Sequence, residues 1–204
     1  MRKNNGDKRE LILQAAKKVF AENGYHQSSI TQIASVAGIG DGTIYNYFQN
    51  KEHILQTLFH ETIYNQFVPG LQQALEPYQD ARFMLLEIVR YHFHFFQSDP
   101  EAARVIQIES RQSIQRVREA MRPGIRSYAR IIDATINQGM EQQLFVSDIP
   151  VRVSRKMIFG TLDEIVTNWV LSSKDYSLLT SVEPAFRLLL NALTNTNKNP
   201  FRNE

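Results

Sequence analysis

The chain has 204 residues, 43% hydrophobic and 22% charged, the balance of an ordinary globular protein with a sizeable core. A net charge of +2 means that the chain as a whole is not a polyelectrolyte binder, and no cysteine and only short apolar runs exclude disulfides, thiolate metal sites and a membrane-spanning helix. The polar stretch from Met1 to Glu10 has no apolar signal-peptide core, so a cytoplasmic protein with no membrane partner is expected.

Charge is distributed unevenly. Met1 to Lys18 carries six basic residues against two acidic ones, and Glu101 to Arg130 carries seven arginines against three glutamates. Either patch can be an ordinary solvated helix face or a surface for anions.

Helical periodicity dominates and strand alternation is absent, so an all-α fold is expected. Asp7 with Glu10 reads as a capping box opening a first helix, whose stripe is Leu11, Ile12, Ala15, Ala16, Val19 and Phe20. Asn23-Gly24 ends it. Ser29 with Gln32 is a second capping box, for a short helix that Gly38 stops. A third helix covers Asp41 to Phe48, and Asn50 caps a fourth from Lys51 that Pro69-Gly70 interrupts or ends. Later helices are predicted at about 80–97, 100–121 with a break, 123–141, 150–172 and 181–195, with Pro100 and Pro150 in first turns. The polar tail 195–204 reads as frayed. Two domains follow: 1–50, a three-helix head, and 51–200, a larger helical domain.

Two short helices joined by a glycine-containing turn make a helix-turn-helix unit, supported by the stripe of the first helix. In such a unit the second helix enters the major groove and its N-terminal half meets base edges. Here that half is Asp41, Gly42 and Thr43, followed by Tyr45, Asn46 and Tyr47. Gly42 permits close backbone approach, Thr43 and Tyr45 suit thymine methyls or phosphates, and Asn46 suits adenine. Ile44 and Phe48 should face the supporting core. Ser29 and Thr31 open the preceding helix, where the Thr31 hydroxyl can reach a phosphate. Lys51, at a helix N-terminus, is a second phosphate anchor, and Arg2 and Lys3 suit a flexible arm.

The ordered set Gly24-Tyr25, Ile30 to Gly38 (Ile-x-x-Ile-Ala-x-x-Ala-Gly), Gly42 to Phe48 (Gly-Thr-Ile-Tyr-x-Tyr-Phe) and Lys51-Glu52 resembles the DNA-binding signature of the TetR family of bacterial repressors. Gly40-Asp41 departs from that pattern, since a carboxylate repels phosphates; Asp41 should therefore face a base edge or cap its helix. The resemblance implies a homodimer on a palindromic double-stranded DNA operator, its reading helices about 34–36 Å apart. The family's last two long helices form a four-helix bundle with their mates. Met157, Ile158, Leu162, Ile165, Val166 and Trp169, with Phe186, Leu189, Leu190 and Leu193, suit that role or an ordinary core.

The family also implies a small-molecule effector. Aromatic residues (Tyr64, Phe67, Phe83, Tyr91, Phe93, Phe95, Phe96) precede the arginine cluster, in which Arg104, Arg111 and Arg118 recur every seven residues and share a face if one helix carries them. An apolar tunnel beside arginines suits a long-chain amphiphile with a phosphorylated head. The segments Ile106 to Ser113 and Arg155 to Glu164 are similar to those of the family's Gram-positive fatty-acid degradation regulators, which implies long-chain acyl-CoA as effector and no cofactor. The expected contacts are Arg104, Arg111, Arg118, Tyr91, Phe95 and Phe159, with release of DNA driven by movement of the helix that begins at Lys51. A cationic drug would instead need buried carboxylates, for which Glu87, Asp163 and Glu164 are candidates. An enzyme is not expected, because His92 and His94 diverge on a helix and no phosphate loop or nucleophile elbow occurs. A helical interaction module without DNA binding conflicts with the retained Thr31, Tyr45, Tyr47 and Lys51.

Overall fold

A computed structural model describes residues 3–109 and 115–194, without the side chains of 3–7 and 116–118. Among these residues every regular element is helical, and no helix is long and apolar enough to cross a membrane. The predicted arm at Arg2 and Lys3 and the tail from residue 195 lie outside the described side chains.

Helix α1 (Lys3–Asn23) begins before Asp7, so the predicted capping box falls inside a helix rather than at its start. Its stripe works as read: Ile12, Ala16, Val19 and Phe20 are at most 2% exposed, and only Leu11, at 44%, turns outward. Gly24 terminates α1 at φ +74°, a conformation costly for residues with a Cβ. In α2 (Ile30–Ala37) the Ser29 side chain accepts from the Gln32 amide while Gln32 reciprocates, and Gly38 closes the helix at φ +66°. Helix α3 (Asp41–Tyr45) is shorter than expected, and residues 46–48 continue it only as a turn. Ile44 and Phe48 are buried in the core, as their spacing predicts.

The fourth helix does not end at Pro69-Gly70. Helix α4 (Lys51–Phe59), a π-helical stretch (His60–Phe67) and α5 (Val68–Leu75) run on without interruption. The Val68 N–H reaches the Ile63 carbonyl, five residues back. The wider turn accommodates Pro69, which can neither donate nor tolerate a normally placed carbonyl one turn earlier.

Helices α6 (Ala81–Ser98), α7 (Pro100–Glu109), α8 (Gln115–Glu141) and α9 (Val151–Leu171) follow. A 3₁₀ turn (Leu178–Ser181) then leads into α10 (Val182–Thr194). The expected division at Pro123 is absent, because α8 continues through it. At the next residue α8 packs so tightly on the π-helical stretch that a Cβ on Gly124 would lie 2.7 Å from Ile63 Cγ2. Helix α8 also packs on α6 and α9, and α10 packs on α6, enclosing a core around Phe67, Leu85, Phe93, Ile132 and Leu162. Helix α1 touches both α4 and α7, which joins the N-terminal head to this body.

Candidate DNA-reading head and effector cavity

The surface made by α2 and α3 exposes Thr31, Asp41, Gly42, Asn46 and Tyr45, the last at 58%. Thr43 and Tyr47 are half-buried beside them. A Cβ on Gly42 would meet nothing within 4 Å, so the space over it is open to a partner. The Ser29 hydroxyl is occupied as the cap of α2. Thr31 and Asp41 meet each other: the Thr31 hydroxyl donates to the Asp41 carboxylate at 2.6 Å. Asp41 thus neither caps α3 nor stands alone, and it clasps the two helices of the unit together.

Lys51 differs from its expected role. Its ammonium points inward and donates to the carbonyls of Tyr25 and Ser28, both at 2.6 Å, above the Tyr25 ring at 4.4 Å. Burial holds its pKa below the usual lysine value, against the upward pull of the Glu109 charge. Asn50 caps α4 by accepting from the His53 amide. The N-terminal basic patch is likewise turned partly inward. Arg9 pairs with Glu61 at 3.3 Å, and Lys17 pairs with Asp99 at 2.5 Å, so both cations tie α1 to the larger domain.

In that domain a cavity of about 560 Å³ opens between α6, α7, α8, α9 and the π-helical stretch. Its apolar wall is Ile63, Phe67, Phe96, Ile106, Met121 and Phe159, and its polar members include His92, Gln107, Arg122, Tyr128 and Asp163. Ile125 and Phe159 also line a second groove, of about 790 Å³, whose rim carries Arg126, Arg130, Arg155 and Lys156. One carboxylate, Asp133, sits there and is paired with Arg155.

Of the expected ligand contacts, Phe159 lines both spaces. Tyr91 and Phe95 stand one layer back, packing on Phe67 with ring centroids 5.5 and 5.1 Å away. Arg104 faces elsewhere, donating to the Val170 carbonyl at 3.0 Å over a cleft with Glu22, Trp169 and Tyr176. The seven-residue register that grouped it with Arg111 and Arg118 requires one continuous helix through residues 110–114, which lie outside the described residues. Arg111 and the Arg118 side chain lie outside the described residues. Among the described residues, the basic groups beside the cavity are Arg122 and the groove quartet. Arg122, Arg126 and Arg130 recur every four residues, a signal in the sequence that the seven-residue pattern obscured. Among the carboxylates suited to a cation, Glu87 is paired with Arg90, Glu164 accepts from Asn168, and Asp163 lines the cavity. No cluster of metal-ligating side chains occurs among the described residues.

Residues 12–58 match the family model of bacterial regulatory proteins of the tetR family, and residues 59–192 match the C-terminal region of YsiA-like proteins. The fatty acid metabolism regulator protein of Bacillus subtilis is 38% identical over 184 residues, covering 90% of this chain and 94% of that one. Two solved structures share the fold. The transcriptional regulator FadR of B. subtilis, in complex with stearoyl-CoA, has a TM-score of 0.84 and 37% identity, covering 90% of this chain and 98% of that one. The fatty acid degradation regulator FadR of Bacillus halodurans has a TM-score of 0.86 and 39% identity, covering 91% and 96%. With head and body both matched, the chain belongs to the TetR family and is a DNA-binding transcriptional regulator.

Proposed function

We propose that the protein is a homodimeric repressor of fatty-acid degradation genes that leaves its palindromic operator when long-chain acyl-CoA binds. The observation that carries this reading is that Ile125 and Phe159 line both an apolar cavity and the basic groove beside it. The acyl chain fills the cavity, and the nucleotide phosphates of the head meet Arg126, Arg130 and Lys156 outside it. The stearoyl-CoA complex of the B. subtilis relative supports the same ligand class.

Magnitudes favour a long chain. At about 0.8 kcal/mol per buried methylene, about 12 to 16 carbons contribute roughly 10 kcal/mol before ordering costs, which an acetyl group cannot match. The cavity falls within the roughly 300–1,000 Å³ range of small-molecule sites. The ligand is bound and returned intact.

On the DNA side, Gly42, Thr43, Tyr45, Asn46 and Tyr47 present the base-reading surface, with Thr31 and Asp41 beside them at the phosphate edge. Two helices that line the cavity also reach this head. Ile63 and Phe67 continue the helix that starts at Lys51, roughly 18 Å away at about 1.5 Å per residue. Ile106 and Gln107 precede Glu109 on α7. A chain that spreads these walls re-aims the head; a roughly 1,000-fold loss of operator affinity needs about 4 kcal/mol of such coupling.

Dimerisation through α9 and α10 is supported by Leu188, 67% exposed on α10, and by half-buried Met157, Ile165, Trp169 and Phe186. Ile158, Leu162, Val166, Leu189 and Leu193 are buried within the chain itself and belong to its own core. Native mass spectrometry of the purified protein tests the reading. The dimer mass with up to two acyl-CoA molecules retained is expected, and a monomer that takes up no added palmitoyl-CoA contradicts it.

A further inference from the structure

The apolar wall of the cavity accounts for a hydrocarbon chain but leaves one polar atom without a role. His92 projects from α6 into a cage of Phe67, Phe96 and Tyr128 and lines the cavity. The residue is 2% exposed. Nδ1 lies 3.1 Å from the Tyr128 hydroxyl, and Nε2 is buried with no hydrogen-bond partner. Buried polar groups are almost always paired, so such an atom on the wall of a ligand cavity points to the ligand.

The chemistry of that ligand atom follows from the protons. The Tyr128 hydroxyl is buried and meets His92 Nδ1; assigning the hydroxyl as the donor of this bond puts the imidazole's own proton on Nε2. Burial drives the His92 pKa down to about 3, so the ring is neutral at physiological pH. A neutral N–H donor inside an apolar space selects a neutral acceptor. At this point on the wall a carboxylate would shed its water for one uncharged donor, an unfavourable exchange, while Asp163 and Arg122, of opposite charge, both line the same cavity.

We propose that His92 is the polar recognition point of the effector, its Nε2–H donating to a neutral oxygen on the acyl ligand, so that the protein takes an esterified chain in preference to the free fatty acid. The proposal rests on the acyl-CoA reading above and adds to it a specificity-determining residue. Two oxygens fit the chemistry: the thioester carbonyl and a hydroxyl or keto oxygen carried on the chain.

Calorimetric titration separates them, using palmitoyl-CoA, its thioether analogue S-hexadecyl-CoA, 3-hydroxypalmitoyl-CoA and free palmitate, all below their micelle concentrations. The wild-type protein is expected to bind palmitoyl-CoA about tenfold more tightly than the thioether, equivalent to about 1.4 kcal/mol, and to bind palmitate more weakly than palmitoyl-CoA. His92→Leu should erase the thioester preference, and His92→Gln, which keeps a neutral donor, should restore part of it. If the hydroxyacyl ligand alone gains and His92→Leu removes that gain, the acceptor is the chain oxygen. If the wild type binds the thioether as tightly as both oxygenated thioesters, or palmitate as tightly as palmitoyl-CoA, the proposal falls. These wild-type comparisons decide it even if a variant fails to fold. Failure of all four ligands to bind would instead overturn the acyl-CoA reading itself.

Discussion

Glu109 Oε1 accepts the backbone N–H of Tyr25 at 3.0 Å, joining the end of α7 to the loop that opens the reading head. The carbonyls of that same loop are held by the Lys51 ammonium. The loop is therefore gripped from two of the helices that line the cavity, and the proposed coupling would run through Glu109 and Lys51. Burial, followed by the charges of Glu52 and Glu109, holds the Tyr25 phenol above its usual pKa, in keeping with an enclosed acidic junction.

Glu109→Ala removes the acceptor and leaves a buried amide unpaired, a loss of about 1–3 kcal/mol. Thermal unfolding should drop by several degrees, at roughly 2–4 °C per kcal/mol for a chain of this size. The ratio of operator affinities without and with palmitoyl-CoA should shrink severalfold, while ligand affinity without DNA stays within about threefold. A variant that keeps the full ratio shows that coupling runs elsewhere.

Lys51→Met distinguishes a structural tie from a phosphate anchor. A lost phosphate contact lowers the slope of log affinity against log salt by about 0.9, whereas a loosened loop weakens binding at every salt concentration with the slope unchanged. The inward position of the ammonium predicts the second outcome, read by fluorescence anisotropy across a salt series.

Asp41→Asn should raise affinity for DNA of unrelated sequence severalfold, because it removes a negative charge from a surface that faces phosphates. The amide oxygen still accepts from the Thr31 hydroxyl, so thermal stability should change little. Unchanged affinity would place Asp41 away from the backbone.

The head was legible because its signals are local. The Ser29–Gln32 box, the left-handed Gly38 and the Ile44–Phe48 pair each depend on residues within five positions, and each forms as its spacing dictates. The cavity was not, because its geometry depends on helix continuity. Pro69 read as interrupting or ending a helix and Pro123 as starting one, yet a π-helical turn and packing on neighbouring helices carry the chain through both. The seven-residue arginine register drew attention away from the four-residue register of Arg122, Arg126 and Arg130. The sequence gives no sign of His92 as a ligand contact, because nothing in its sequence neighbours reveals that Tyr128, on another helix, takes only one of its two nitrogens.

His92 also predicts a pH dependence. Its folded pKa of about 3 lies below the unfolded value of 6.5, so the unfolded chain binds one more proton between those limits. Stability from keeping the ring neutral is complete above pH 6.5 and declines as pH falls towards 3, by up to about 1.4 kcal/mol per unit. Among the described residues, the ionisable groups sharing its surroundings are Tyr128 and Arg122 on α8 and Asp163 on α9. The Tyr128 phenol stays protonated throughout, held high by burial and then by Asp163. Denaturant unfolding from pH 7 to 4 should show this loss in the wild type and a shallower one in His92→Asn.

Titration of palmitoyl-CoA into a preformed complex with labelled promoter DNA tests whether filling the cavity releases the head. Anisotropy reports the DNA while calorimetry under the same conditions reports ligand occupancy. The DNA should be released in step with occupancy, approaching one ligand per protomer, with neither acetyl-CoA nor coenzyme A alone having the effect. DNA that stays bound while the ligand sites are measurably full would contradict the account.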